Sequence, residues 1–236
     1  MAGQVKGAAK VATRLEELLT GVDGGVKGSE AEKRILDYYV DRNFYGAAFD
    51  DVDSSPNAFT EHDLLKLSLL SVPVTGSITR DLLGGFFDTE LEQFSGKTLN
   101  GLLSEVPVGV AFEEVLGKDF KTILDKGSPA DTLWKAIRKV SQERNWGMGQ
   151  TRTAKLLAAK RPQLIPIYDS VVAKEFGRTS SRDHWTDMRE LFKENPKLVT
   201  KLKEVSKAAG KDISAIRALD VILWMELPAV NREEDI

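Results

Sequence analysis

Cysteine is absent from this chain of 236 residues, which excludes disulfides, thiolate metal sites and iron–sulfur clusters held by four cysteines. Histidine is nearly absent. His62 and His184 are the only two, neither stands at ligand spacing from nearby acids, and both read as exposed polar side chains, so no metal or other cofactor is expected. No apolar run reaches the roughly 18 residues that would mark a membrane span. The opening Met1-Ala2-Gly3-Gln4-Val5-Lys6 lacks the apolar stretch of a secretion signal, and a cytoplasmic protein is expected. There is no Gly-x-Ser-x-Gly elbow, and no strand pattern precedes the glycine pairs, which sets aside serine-hydrolase and dinucleotide-binding chemistry. Nor is there an overall basic excess. With 33 bases against 36 acids the net charge is −3, which argues against indiscriminate nucleic-acid binding.

What is present is ordinary for a globular chain: 42% hydrophobic and 29% charged residues, at a length that can bury a sizeable core. Apolar residues recur at helical spacing nearly throughout, and sustained period-two alternation is missing. The spacing predicts helices over Lys10 to Leu19, after the Ser29/Glu32 capping pattern, from Thr60 with Asp63 through Leu70, from Arg182 to Lys193 and from Ser214 to Met225. Shorter pieces are expected at Thr79 to Leu83, Thr89 to Phe94, Lys97 to Leu103 and Phe112 to Leu124. Tyr45 to Phe59, acidic and broken by Pro56, reads as a loop, and Glu226 to Ile236 as a polar tail. The expected fold is all-α: one helical unit over 1–236, in two lobes with a cleft between them.

The stretch from Asn145 to Val172 is the most informative. Ser128-Pro129-Ala130-Asp131 is a strong helix start, and Leu133, Trp134, Ile137 and Val140 carry that helix to Arg144. Gly147-Met148-Gly149 then permits a tight hairpin, and a second helix runs on through Thr153, Ala154, Leu156, Leu157 and Ala158 to Lys160. Helix, two-glycine hairpin and helix present backbone N–H groups and a positive helix end to a phosphate. Two prolines, Pro162 and Pro166, stop the chain from continuing helically. Asp169 follows 22 residues after Gly147, where the next helix should begin.

These features together resemble the helix-hairpin-helix (HhH-GPD) DNA glycosylases, whose pattern joins a Gly-x-Gly hairpin, a Thr-Ala or similar pair and an Asp in a Pro-x-x-Asp-x-x-Val context. The matching residues here are Gly147-Met148-Gly149, Thr153-Ala154 and Pro166-Ile167-Tyr168-Asp169-Ser170-Val171-Val172, within about 28 of the 236 residues. The resemblance implies a middle lobe of about 60–145, a second lobe of about 1–45 plus 146–236, and the hairpin and Asp169 at their junction. It implies a monofunctional enzyme that hydrolyses the N-glycosidic bond of a damaged, mismatched or modified base, in repair or in defence against modified foreign DNA, and leaves an abasic site. Members that also cut the strand carry a lysine two residues after the second glycine. Here that position is Thr151, which cannot form a Schiff base, so strong lyase activity is not expected. The usual Leu-Pro before the hairpin is replaced by Asn145-Trp146.

Breaking an N-glycosidic bond builds positive charge on the sugar, which one carboxylate can stabilise while it orients water. Asp169 is the candidate, and capping its helix is the alternative role, which the same side chain can combine with catalysis. Trp146, Gly147, Met148, Gly149, Gln150, Thr151, Arg152, Thr153 and Lys155 form the candidate DNA-binding segment, with Thr151 equally readable as a cap. Trp146 and Tyr168 are candidate walls for a flipped base, or ordinary core aromatics; Phe86, Phe87 and Trp185 are further candidates. Between Leu133 and His184 eleven bases face four acids, a local excess suited to phosphate contacts on duplex DNA. The expected partner is double-stranded DNA bound by a monomer. The competing readings are a non-catalytic helix-hairpin-helix module that binds DNA or a partner structure, and a purely helical interaction protein.

Overall fold

Side-chain caps decide where these helices start. In the computed structural model, which describes residues 2–42, 44–84, 96–144 and 147–226, every regular element is a helix. They are α1 (Ala2–Leu19), α2 (Glu30–Leu36), α3 (Tyr45–Ala48), α4 (Glu61–Leu69), α5 (Gly76–Leu83), α6 (Leu99–Ser104), α7 (Asp119–Ile123), α8 (Pro129–Arg144), α9 (Gln150–Lys160), α10 (Ser170–Glu175), α11 (His184–Glu194), α12 (Pro196–Val205) and α13 (Ala215–Trp224). Ser29 Oγ accepts from Glu32 N (3.1 Å) and opens α2, and Asp63 Oδ2 accepts from Thr60 N (2.7 Å) in a capping box that opens α4. Ser128 and Ser214 cap α8 and α13 in the same way. Each such cap contributes about 1 kcal/mol.

Two groups of helices share one apolar core. In the first, α4 packs on α5 and α9, and α8 packs on α6, α7 and α9. In the second, α1 packs on α2, α11 and α12, while α13 packs on α2, α10 and α12. The all-helical expectation holds among the described residues, and none of their helices is long and apolar enough to cross a membrane. Two local expectations need correction. Phe112 to Leu124 is not one helix but a 3-10 turn, Phe112–Glu114, and the short α7, with Gly117, a poor helix former, in the turn between them. The stretch Tyr45 to Phe59 contains a helical turn, α3, before it becomes irregular. Thr89 to Phe94 and most of the tail lie outside the described residues.

Past α2 the helix widens into a π turn, Asp37–Asp41. The extra residue per turn brings consecutive tyrosines, Tyr38 and Tyr39, inward together, and both are buried. Such turns recur where a helix is bent towards a functional site. Here they aim two phenols at the start of α13.

Candidate functional site

The glycine pair lies between two helices, with residues 145 and 146 outside the described residues. α8 ends at Arg144, Gly147 takes φ +81°, which a side chain would strain, and Gly149 stands at the N-cap of α9. Glycine offers no side-chain cap, so Gly149 leaves the first-turn N–H groups of α9 without a partner from its own side chain. The rest of the hairpin is tied down from within. Met148 N donates to Ser141 Oγ (2.9 Å), and the Met148 carbonyl accepts from Arg138 Nη1 (2.6 Å) and Thr153 Oγ1 (3.3 Å). Arg152 Nη1 donates to the Gly147 carbonyl (2.9 Å).

This locking corrects part of the proposed DNA-binding segment. Met148 and Thr153 are fully buried and have no surface to offer DNA; Met148 belongs to the apolar core, and the Thr153 hydroxyl donates to its carbonyl. Gln150 is occupied by Ser181, whose N–H donates to its Oε1 (2.8 Å). Gly147, Gly149, Thr151 and Arg152 remain at least partly accessible. Asn145 and Trp146 lie outside the described residues, as do Phe86 and Phe87. The local basic excess also shrinks. Lys160 and Arg161 are buried, and Arg178 Nε and Nη2 each donate to an oxygen of Asp187 (2.7 and 2.6 Å).

Asp169 takes up extended backbone at the N-cap of α10, and its Oδ1 accepts from both Val171 N and Val172 N (3.0 Å each). Capping is therefore one of its roles. The second oxygen, Oδ2, has no hydrogen-bond partner among the described residues, and the side chain lines a cavity of about 60 Å³. Lys155, one and a half turns along α9 from the hairpin, lines the same cavity and donates from Nζ to the Leu70 carbonyl (2.8 Å). Its amine is thus turned into the site, not out towards phosphates.

The far wall comes from residues that sequence reading did not single out. Tyr38, Phe44 and Trp224 pack ring to ring, with centroids 5.4–5.7 Å apart, and all three face the cavity. Arg217, buried on α13, holds the floor. Its Nε donates to both oxygens of Asp50 (3.1 and 3.0 Å), its Nη1 to Asp220 Oδ2 (2.5 Å), and its Nη2 to Tyr38 Oη (3.1 Å) and the Gly46 carbonyl (2.8 Å). Burial works against the guanidinium charge, and Asp50, the tyrosines and Asp220 more than offset it. Burial likewise pushes the Asp220 carboxyl up to about 7; Arg217 opposes this and the Asp169 charge adds to it. The Tyr38 phenol is raised by burial to about 12.

At the rim, exposed Ser71 has φ +56°, the one such non-glycine value among the described residues. Backbone strain of this kind, on the order of 1–3 kcal/mol, persists where surrounding structure enforces it and is frequent at functional sites. The volume admits a few waters at roughly 15 Å³ each, and falls well short of the roughly 150 Å³ that holds a benzene ring.

Two aromatic candidates take the core role that was the alternative to walling the base pocket. Tyr168 is buried but does not line the cavity; its ring packs edge-on against His184 (5.3 Å) beside Ala154 and Ala173. Trp185 packs on the general core. His184 is not exposed. Its ring sits between Tyr168 and Phe176, Nε2 meets the Ile167 carbonyl (3.0 Å), and burial holds its imidazole down at about 4, neutral at physiological pH. His62 is exposed as expected, and no cluster of three metal-ligating side chains occurs among the described residues.

The chain belongs to DUF6308, a family of unknown function, whose model matches residues 31–227. That span contains every charged residue of the cavity. No curated protein and no solved structure matches the chain.

Proposed function

We propose that this protein is a monofunctional DNA glycosylase that hydrolyses the N-glycosidic bond of a damaged, mismatched or modified base. The observation that carries the reading is Asp169, which spends one carboxylate oxygen on its helix, keeps the other without a hydrogen-bond partner among the described residues, and lines a cavity shared with Lys155 of the hairpin helix. In this reading the uncapped first turn of α9 and Arg152 meet the DNA backbone. Asp169 stabilises the developing sugar cation and orients water, and the Tyr38–Phe44–Trp224 wall receives the extruded base. The cavity is too small for a base as it stands, so the reading requires the rim at Leu70-Ser71 to move on binding. A non-catalytic DNA-binding module has no use for carboxyls gathered behind a phosphate-binding hairpin, where they repel the backbone.

The test is incubation with duplexes carrying a panel of modified and mispaired bases, followed by alkali to reveal abasic sites. Asp169→Asn retains a capping side chain. It is expected to stay folded and bind DNA while base release falls by orders of magnitude. Undiminished release by the folded variant removes Asp169 from the mechanism. Thr151 brings no amine, so breaks should appear only after alkali, and borohydride should trap no adduct. Trapping lost in Lys155→Ala would instead show that this amine attacks the sugar.

A further inference from the structure

The cavity holds a second carboxyl with an oxygen that has no hydrogen-bond partner. Asp220 is 6% exposed, its Oδ2 is taken by Arg217, and its Oδ1 is buried with no hydrogen-bond partner. Buried polar atoms are nearly always paired, so an orphan that lines a cavity calls for an explanation. The charged and titratable groups around it come from five parts of the chain. They are Arg217 on its own helix, Asp169 at the start of α10, Lys155 on α9, and Asp50 and Tyr38 reached through Arg217. Arg217 is divided between two carboxyls, and Asp50 takes both of its contacts through Nε. Asp220 receives one donor and faces a third carboxyl across the cavity. Like charges gathered away from water do not all persist. A proton on Oδ1 relieves the crowding and makes the orphan oxygen a donor in the wall of the cavity.

We propose that Asp220 carries its proton on Oδ1 and gives it to the departing base, so that the site acts on neutral bases that must be protonated as they leave. This rests on the glycosylase reading and deepens it. As the C1′–N bond breaks, its electron pair goes to the base, whose ring nitrogen or carbonyl oxygen takes the Asp220 proton. Asp169 stabilises the sugar cation and accepts a proton from the water that adds to C1′. Return of that proton through solvent to Asp220 restores the site, and one water is consumed per base released. Two carboxyls with opposite protonation, each set by its surroundings, divide the acid and base roles. A cationic base such as 7-methylguanine leaves without a proton and has no need of Asp220.

The experiment measures release from duplexes that carry hypoxanthine, uracil or 5-hydroxymethyluracil, and from matched duplexes that carry 7-methylguanine, by wild type, Asp169→Asn and Asp220→Asn. Wild type is expected to release at least one neutral base, with a rate that declines as pH rises past neutrality. Asp220→Asn should lower that release about 100-fold or more, the usual range for loss of a general acid, and abolish the pH limb. Any 7-methylguanine release should stay near wild type. Release confined to 7-methylguanine, or equal loss for neutral and cationic bases, overturns the role of Asp220 and leaves Asp169 standing if Asp169→Asn is inactive on both. If no base is released by wild type, the glycosylase reading falls and Asp220 falls with it. Should Asp220→Asn fail to fold, the wild-type profiles decide: a limb shared by both classes of base, or absent from the neutral one, overturns the proposal.

Discussion

Among the described residues, the charge cluster at the end of α9 and the one at the cavity are both buried, and only the first is complete. At the end of α9, Lys160 donates to both oxygens of Asp63 (3.0 and 2.9 Å) and to the carbonyls of Ser55 and Ala58, while Arg161 donates to the carbonyls of Val106, Pro56 and Leu103 and to Asn57. No side-chain atom of that set is left orphaned. It pins the irregular stretch 52–60 against the core. At the cavity, Arg217 is equally saturated, yet Asp220 Oδ1 stays unpaired and Asp169 Oδ2 has no hydrogen-bond partner among the described residues. A saturated buried network specifies shape, whereas an unsaturated one beside a cavity holds reactive capacity.

The contrast predicts its largest effect at Lys160. Lys160→Met strands Asp63 as a buried, unpaired charge and removes the donor from two carbonyls. Breaking a buried pair in this way costs about 3–5 kcal/mol, or on the order of 10 °C in Tm for a chain of this size. Calorimetry should show that loss with DNA binding intact below the transition. A shift of less than about 2 °C would mean that the complete cluster holds little in place.

The incomplete cluster should reveal itself through pH. The Asp220 carboxyl sits at about 7 against an ordinary 3.8, so the folded chain holds this proton more tightly than the unfolded one. Its contribution is full below about pH 4 and is lost as pH rises towards 7, on the order of 4 kcal/mol in all. His184, held at about 4 against 6.5, acts in the opposite sense. Its contribution is full above about pH 6.5 and is lost as pH falls towards 4. The two slopes oppose each other in wild type. In Asp220→Asn only the second remains, and urea unfolding should show stability climbing from pH 4 to 6.5 more steeply than in wild type. Parallel profiles would place the Asp220 proton elsewhere.

Sequence pattern reached one wall of this site and missed the other. Gly147-Met148-Gly149 and the boundary at Asp169 are local signals: turn chemistry and a cap, each readable within a few residues. The second wall is assembled from Tyr38, Gly46, Arg217 and Asp220, far apart in the chain, and no spacing rule joins them. Arg217 and Asp220, three residues apart on an otherwise apolar α13, were the available sign, since charges on a helix buried nearly all round need partners. The basic excess misled for the same reason. Charge counts do not distinguish Lys160 and Arg161, which are buried, from Arg152, which is not.

Gly46 joins the two halves of the incomplete cluster. A Cβ there would lie 2.0 Å from Tyr38 Oη, and the Gly46 carbonyl accepts from Arg217. Gly46→Ala should therefore displace the phenol and cost about 1–3 kcal/mol, as overpacking does. Adding Tyr38→Phe removes the atom that clashes. The double variant should recover part of the loss even though Tyr38→Phe alone gives up a hydrogen bond from Arg217. Strictly additive losses would show that Gly46 and Tyr38 do not press on each other.

The smallest effect belongs to the hairpin. Arg152 donates to the Gly147 carbonyl and is half exposed, so Arg152→Ala should change stability by no more than about 1 kcal/mol. Its consequence for DNA is larger in proportion. The guanidinium braces the turn that presents the uncapped N–H groups of α9, and it is also a cation at that surface. Its loss should weaken duplex binding at every sequence and lower the salt dependence by about one counterion. Lys155 provides the control, because its Nζ is turned inward onto the Leu70 carbonyl. Lys155→Ala should leave the salt slope unchanged while it alters the cavity. If the two variants flatten the slope equally, Lys155 reaches the backbone after all, and the hairpin helix meets DNA along its length instead of at its first turn.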